Sequence, residues 1–247
     1  MKTAVIIAAS ALLLSGVADS AEIRVLSTQA TQEAYLELAA QFEKATGHRL
    51  LIHFDSTPNI IARINSGTPF DLAVVPVDIF KDATAKGHFA PGPMVDIARV
   101  GYGVIVRSGA PKPDISTADA FRKALLDAKS IASVPASAAG AYIAKVYERL
   151  GIAEDMKAKT RTQSAPTAIA PAVAKGEAEL GIFLTNVLNA AGVDLVGPFP
   201  ADLQQELLFS AAVAADSKET DAAKAFIDYL RTPAVTAAIK AAGLNPP

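Results

Sequence analysis

The strongest constraint on the fold of this chain is the alternation of strand and helix patterns from residue 22 onward. Three segments have strand character, at 22–26, 50–54 and 72–75, and the last is a continuous apolar run (LAVV) typical of a buried parallel strand. Helical spacing follows each of them, at 28–46, 60–64 and 77–86. This βαβαβα order predicts an α/β sheet with helices on its faces.

A second series of the same kind lies between two long strand-like runs, at 97–107 (IARVGYGVIVR) and 206–214 (ELLFSAAVA). Between these runs, strand patterns at 131–134 and 180–183 alternate with helical patterns at 118–129, 140–150, 166–175 and 185–191. We therefore predict two lobes, each a βα-wound sheet with flanking helices, joined by a double crossover hinge. Residues 21–103 and 208–247 are predicted to form lobe 1, and residues 104–207 to form lobe 2.

The N-terminus has the pattern of a secretory signal peptide. Met1 and Lys2 precede an almost wholly apolar stretch that reaches Val17, and small residues surround Ser20 and Ala21. A membrane anchor is the alternative, but the apolar stretch is short for a bilayer span of roughly 20 residues. We predict a cleaved signal peptide at 1–20 and a mature protein that is soluble in the periplasm. The chain has no cysteine, which excludes a bacterial lipoprotein.

Composition excludes several classes of function. The 23 Lys and Arg residues nearly balance the 25 Asp and Glu residues, so no nucleic-acid partner is predicted. The three histidines lack metal-ligand spacing, and no phosphate-binding loop, dinucleotide-binding glycine motif or nucleophile elbow is present. We predict no metal, no cofactor and no catalytic residue.

Small polar residues stand where predicted strands end and predicted helices begin. Each such junction alone is explained by an ordinary helix N-cap. Helix N-termini at the carboxyl ends of strands also bind anions, and junctions from two facing lobes would converge on one cleft. The residues predicted to bind a ligand are Ser27, Thr28, Ser56, Thr57, Ser137, Ala138, Ala139, Gly140, Thr185 and Arg107.

Two charged residues near these junctions have alternative interpretations. Arg107 ends the crossover strand, where it either pairs with a ligand carboxylate or is simply solvated. Asp55 precedes Ser56 and is either a turn acceptor or part of the site.

Several segments of the chain resemble bacterial periplasmic solute-binding proteins of the molybdate-binding type. The segments are IARVGYGVIVRSGAPKPDIS (97–116), ERLGI (148–152), KGEAELGI (175–182), LVGPFPADLQ (195–204) and AAKAFIDYLRTP (222–233). The resemblance implies the two-lobed type II binding-protein fold, also called a Venus flytrap. It also implies capture of a small anion for the membrane permease of an ABC importer, by a monomer.

The resemblance also implies roles for individual residues. Ser27 and Ser56 correspond to two hydroxyl ligands of lobe 1, and the turn at 138–140 to backbone amides of lobe 2. Molybdate binders of the family place a tyrosine hydroxyl where this chain has Leu184, and an amide donor near Pro166, which has no N–H. These departures leave a different oxyanion or an organic carboxylate open as the ligand.

Three functions follow as hypotheses. The first is a periplasmic binding protein for a molybdate-like oxyanion or a small organic carboxylate. The second is an isomerase of an unsaturated tricarboxylate such as aconitate, which some proteins similar to this family are, with Asp55 and Tyr142 as the acid/base candidates near the junctions. The third is a secreted protein that binds no small ligand.

Overall fold

The computed structural model describes residues 20–247, which fold into a mixed α/β structure. The strands β1 to β9 span Glu22–Thr28, Arg49–Asp55, Leu72–Pro76, Val95–Arg107, Ile131–Ser133, Thr160–Thr162, Leu180–Leu184, Val193–Pro198 and Glu206–Val213. The helices α1 to α10 span Gln32–Thr46, Thr57–Asn65, Val77–Lys81, Ala118–Asp127, Ala138–Arg149, Ala153–Lys159, Ile169–Ala174, Thr185–Leu188, Thr220–Leu230 and Pro233–Ala241. Short 3₁₀ turns lie at Gln29–Thr31, Lys86–His88 and Pro166–Ala168.

The predicted α/β class is confirmed, and the helix expected over 28–46 is present from Gln32 to Thr46. Helix α1 buries its apolar residues at helical spacing, and Gly47 ends it with a φ of +78°, a left-handed conformation that glycine adopts without steric cost. All five residues of β3 are buried, as its continuous apolar run predicts. The buried face of α1 consists of Tyr35, Leu38, Ala39 and Phe42.

The strands form one path of hydrogen-bonded neighbours in the order β2-β1-β3-β9-β4-β7-β5-β6, with β8 beside β4. Strand β4 belongs to both halves of this path. Its first part, Val95 to Gly101, pairs with β9, and its second part, from Tyr102, pairs with β7 and β8. We call the half containing β1, β2, β3 and β9 lobe 1, and the half containing β5 to β8 lobe 2.

A side-chain amide stabilises strand β4 at the point where it passes from one lobe to the other. Gln204 accepts the backbone N–H of Tyr102 at 3.0 Å and donates to the Tyr102 carbonyl at 2.9 Å, so it pairs with the crossover strand much as a neighbouring strand would. The pairing of β4 changes between Gly101 and Tyr102, and β9 begins at Glu206. The residue limits given above for the two lobes stay a prediction.

An ion pair between the half-buried Arg24 side chain and the buried Asp71 carboxylate ties β1 to the chain just before β3. The Asp71 side chain is fully buried and accepts hydrogen bonds from the Arg24 N–H at 2.9 Å and from its Nε and Nη2 at 2.8 and 3.0 Å. The Ser217 hydroxyl donates to the same carboxylate at 3.0 Å. Burial alone would raise the pKa of Asp71, but these hydrogen bonds and the Arg24 charge outweigh burial and hold the pKa below its usual value.

Some predicted elements were wrong in extent. The helix expected over 77–86 ends at Lys81. The backbone of Asp82 leaves the helical conformation, and its carboxylate accepts the N–H groups of Thr84 and Ala85. Helix α8 ends at Leu188 instead of continuing to 191. Strands β6 and β8 and helix α6 have no counterpart in the sequence prediction.

Residues 1–19 of the predicted signal peptide lie outside the described residues. Among residues 20–247, no helix combines the length and the apolar character that a bilayer crossing requires.

Candidate functional site

A cavity lies between the lobes, at the carboxyl ends of strands from both sheets. Strands β1 and β2 of lobe 1 end beside it at Thr28 and Asp55, and β7 of lobe 2 ends beside it at Leu184. Ligands of open α/β sheets bind at this edge. The cavity measures about 20 Å³, which is room for about one water molecule, so the lobes are closed on each other.

Thr28 places a hydroxyl at the cavity. It is only 5% exposed, and its Oγ1 is buried with no hydrogen-bond partner within residues 20–247. A buried hydroxyl without a partner is unfavourable unless a ligand or water satisfies it. Thr28 is therefore the strongest single indication of a ligand site in the described chain.

Ser27, the neighbour of Thr28, points elsewhere. Its hydroxyl donates to the Val74 carbonyl of β3 at 2.9 Å and lies 3.2 Å from the Thr31 hydroxyl. Successive side chains of a strand point to opposite faces, so only one of the two can face the cavity. Ser27 does not line the cavity, and its placement gives no support to the ligand role that the resemblance implies.

Helix α2 directs its N-terminus at the cavity from lobe 1. Ser56 is the N-cap, with its hydroxyl 3.4 Å from the Asn59 N–H, and Pro58 stands in the first turn. Both Ser56 and Thr57 line the cavity. The N-terminus of this helix adds a positive partial charge to that side of the cavity.

Helix α5 does the same from lobe 2. Ser137 is its N-cap: its hydroxyl accepts the Gly140 N–H at 3.0 Å and donates to the Val134 carbonyl at 2.8 Å, so its own proton is already used. Ser137, Ala138 and Ala139 line the cavity, whereas Gly140 lies one residue beyond the lining. The N–H groups of Ala138 and Ala139 are the donors that α5 offers to the cavity.

Position 140 has no room for a side chain, so only glycine fits there. A β-carbon there would collide with the carbonyl oxygens of Val134 and Pro135 and come within 2.6 Å of the Pro135 carbonyl carbon. The absence of a side chain lets α5 begin directly against the end of β5. Gly140 thus sets the position of the Ala138 and Ala139 amides.

Two hydrogen bonds join the lobes at the cavity. The Ala138 N–H donates to the Thr57 hydroxyl oxygen at 3.2 Å, and the Asn186 side-chain amide donates to the Ala30 carbonyl at 2.7 Å. The first of these bonds joins the N-termini of α5 and α2. The cavity is closed by the same groups that are candidates for ligand contact.

Asp55 brings a carboxylate to the cavity. Its Oδ1 accepts the Ser56 N–H at 2.7 Å and the Asn59 amide at 2.8 Å, and its Oδ2 lies 3.5 Å from Nε2 of His53. Burial alone would raise the pKa of Asp55, but these hydrogen bonds and the nearby imidazole outweigh burial and lower it below the usual value. Asp55 is therefore ionised near neutral pH.

Apart from Gln29, the remaining wall of the cavity is apolar. In lobe 2 it includes Val134, Pro166, Phe183 and Leu184, all buried, and in lobe 1 it includes Leu207 and Phe209. Leu184 and Pro166, the two departures from the molybdate-binding pattern, therefore both border the cavity. Pro166 has no backbone N–H, and the side chain of Leu184 carries no polar hydrogen.

Besides Ser27 and Gly140, two further residues predicted for the site lie outside it. Thr185 packs its methyl group against β4 at Gly103, where an added β-carbon would be 2.9 Å from the Thr185 methyl carbon. Arg107 is exposed at the far end of β4, five residues beyond Tyr102 and about 17 Å along the strand. The structure brings neither of them to the cavity.

The positive partial charges at the cavity come from the N-termini of α2 and α5. Of the described residues that line it, none is lysine or arginine. Within residues 20–247, no group of three or more histidine, aspartate or glutamate side chains is placed to hold a metal ion. The arrangement can therefore bind an anionic group through hydroxyl and amide donors at helix N-termini.

The sequence of residues 23–245 matches a family model described as bacterial extracellular solute-binding protein. The chain is similar to the aconitate isomerase of a Pseudomonas species, with 34% identity over 231 residues that cover 91% of this chain and 87% of that protein. It is also similar to the molybdate-binding protein of Azotobacter vinelandii, with 28% identity over 244 residues that cover 96% of this chain and 95% of that protein.

The fold is shared with solved structures. The periplasmic molybdate-binding protein of Azotobacter vinelandii superposes with a TM-score of 0.74 and 22% identity, over 91% of this chain and 99% of that one. At this level of identity the comparison supports the two-lobed architecture alone.

Proposed function

The chain belongs to the family of bacterial extracellular solute-binding proteins, and on that premise we propose that it captures a small anion between its lobes for an ABC importer. The anion is a molybdate-like oxyanion or a small organic carboxylate. Capture takes place in the periplasm by a monomer, and the closed protein delivers its ligand to the membrane permease.

One observation carries this proposal. The Thr28 hydroxyl is buried without a partner at a cavity that the N-termini of α2 and α5 also face. An anion placed there accepts hydrogen bonds from the Thr28 hydroxyl and from the amides at the start of α5, where it replaces Thr57 as the acceptor of the Ala138 N–H. The dipoles of both helices favour its charge. Separation of the lobes admits the anion, and closure removes it from water.

Thermal unfolding with a panel of anions tests the proposal. The panel contains molybdate, tungstate, sulfate, phosphate, citrate, and cis- and trans-aconitate. A ligand at 100 times its dissociation constant adds about 2.7 kcal/mol to the free energy of unfolding. If no anion raises the melting temperature, the proposed function is wrong.

A second candidate is isomerisation of an unsaturated tricarboxylate. It is favoured by the similarity to an aconitate isomerase and by the Asp55 carboxylate at the cavity. In such a reaction a base removes a proton from the methylene carbon, the double bond shifts, and a proton returns to the former vinylic carbon. Asp55 is ionised and so able to accept the proton, although its lowered pKa makes it a weaker base.

Incubation with cis-aconitate in heavy water, followed by NMR, tests the second candidate. Formation of the trans isomer with deuterium at carbon supports it, and Asp55→Asn should then lower the rate at least about 100-fold. Asp114→Asn, at an exposed aspartate of lobe 2 outside the cavity, is the matched control. An unchanged spectrum with the parent protein excludes the isomerase function.

A further inference from the structure

The lining of the cavity between the lobes divides into two chemically different sets of residues. The polar set contains the Thr28 hydroxyl, the Gln29 side chain and the N-termini of α2 and α5, with the Thr57 hydroxyl and the Ala138 N–H. The apolar set includes Pro166, Phe183 and Leu184, none of whose side chains carries a polar hydrogen. Apart from Ser137, whose proton is already used, the lobe 2 side chains in the lining are all apolar, so the side-chain donors come from lobe 1.

This division disfavours a compact inorganic oxyanion. A tetrahedral dianion carries charge on oxygens that point in all directions, and a buried charged oxygen must be hydrogen-bonded. Any oxygen directed at Leu184 or Pro166 would have no donor, because one is an apolar side chain and the other lacks a backbone N–H. A ligand with its charge at one end meets no such penalty.

Asp55 adds a second constraint. Its carboxylate borders the cavity beside Ser56, and its Oδ1 is already held by two donors. A dianion confined next to this fixed negative charge is repelled by it. An elongated ligand keeps its charged end at Thr28 and α5 and places an uncharged part elsewhere.

From these contacts we infer that the ligand is an organic carboxylate with a hydrocarbon part. Its carboxylate accepts hydrogen bonds from the Thr28 hydroxyl and the Ala138 and Ala139 amides, and its hydrocarbon part packs on Pro166, Phe183 and Leu184. This inference rests on the proposed function and names the class of its ligand.

The closed cavity requires the lobes to move for such a ligand. Its volume of about 20 Å³ has no room for several carbon atoms. In the closed form the Thr57 hydroxyl accepts the Ala138 N–H. When the lobes separate, the ligand carboxylate replaces the Thr57 hydroxyl as the acceptor of that N–H.

Isothermal titration calorimetry on the purified protein at fixed pH and ionic strength tests the inference. Molybdate, tungstate, sulfate and phosphate form one set. The other set contains the monocarboxylates butyrate, hexanoate and benzoate together with succinate, fumarate, tricarballylate, citrate and the two aconitates. We expect at least one carboxylate to bind ten times more tightly than every inorganic oxyanion. An inorganic oxyanion that binds more tightly overturns this inference and leaves the proposed function standing, whereas binding of neither set overturns both.

Substitution of the apolar wall gives an independent test. Leu184→Asn places an amide where the hydrocarbon part is expected, and it should weaken carboxylate binding at least tenfold relative to oxyanion binding. Leu188→Asn is the matched control, because Leu188 is an equally buried leucine of lobe 2 outside the cavity. It should lower the melting temperature without changing the ratio of the two affinities, and equal ratios in both variants contradict the inference.

A second variant covers the case in which Leu184→Asn does not fold. Pro166→Ala supplies a backbone N–H on the apolar side without adding bulk. We expect the ratio of oxyanion affinity to carboxylate affinity to rise at least threefold. A ratio that stays the same or falls overturns the assignment of this wall to the hydrocarbon part.

Discussion

The backbone N–H of Ala138 in lobe 2 donates a hydrogen bond of 3.2 Å to the hydroxyl oxygen of Thr57 in lobe 1. The two residues stand in the first turns of α5 and α2, so the bond joins two helix N-termini across the cavity. It satisfies an amide that α5 would otherwise leave free, and it helps to hold the lobes closed.

Loss of this bond should shift the protein toward an open form. Thr57→Val removes the hydroxyl at nearly the same volume and should cost the closed form about 1 kcal/mol, a change of about fivefold in the ratio of open to closed protein. Small-angle X-ray scattering without ligand should give a larger radius of gyration for Thr57→Val than for the Thr57→Ser control. Equal radii for both variants would show that the bond does not control closure.

The two neighbouring hydroxyls of β1 should respond in opposite ways. Thr28→Val removes an unpartnered buried hydroxyl and should stabilise the unliganded protein by about 1 kcal/mol, while it weakens ligand binding by about 1–3 kcal/mol. Ser27→Ala breaks the bond to the Val74 carbonyl and should lower stability by about 1 kcal/mol with little effect on affinity. Chemical unfolding and calorimetry measure both quantities. The reverse pattern would return the ligand role to Ser27.

Gly140 should tolerate no side chain. Gly140→Ala forces its β-carbon into the Val134 and Pro135 carbonyls and should lower the free energy of unfolding by about 2–4 kcal/mol. Gly197→Ala is the control, because the nearest atom to its added carbon is 3.7 Å away, and it should change stability by less than about 1 kcal/mol. Urea unfolding measures the free energy of unfolding of both variants. If Gly140→Ala and Gly197→Ala lose similar amounts of stability, helix α5 can move away from the added carbon with little change in free energy.

The Arg24–Asp71 pair should make stability depend on pH in the acid range. The pKa of Asp71 is lower in the folded protein than the value of about 3.9 in an unfolded chain. Its contribution is therefore fully present above about pH 4 and is lost as the pH falls through the folded pKa. Asp71→Asn should cost about 1–3 kcal/mol at pH 7, and the difference from the parent should shrink below about pH 4. A difference that stays constant to pH 2 would argue against this account.

Much of the fold could be predicted from the sequence, because it is encoded locally. The spacing of Tyr35, Leu38 and Phe42 fixes the buried face of α1, and Gly47 marks its end. Strand β8 was missed because its register on β4 shifts at Val104 and Ile105, and its residues are only partly buried, so no clear pattern results. Such strands are specified by partners that are distant in the sequence.

The site was predicted less completely, for a different reason. Thr28 and Ser27 are adjacent hydroxyl residues, and only the pleat of β1 against β3 determines which of them reaches the cavity. Arg107 ends the crossover strand in the sequence, but β4 carries it to the end of lobe 2 away from the cavity. The position of Asp55 at a strand end was visible in the sequence, whereas the partners that keep it ionised were not.

Two features determine when this protein can finish folding: both lobes share strand β4, and strand β9 comes late in the sequence. Val75 of β3 pairs with Ser210 of β9, about 135 residues later in the chain. The residues of lobe 2 lie between these two strands in the sequence and are therefore synthesised before β9. The first three strands therefore cannot complete their sheet while the chain is still being synthesised. A nascent chain of this topology stays incompletely folded until its last fifth emerges, and contacts of such high sequence separation make the final step slow. The hydrogen bonds that close the two lobes on each other therefore form late in folding, after β9 has joined the sheet.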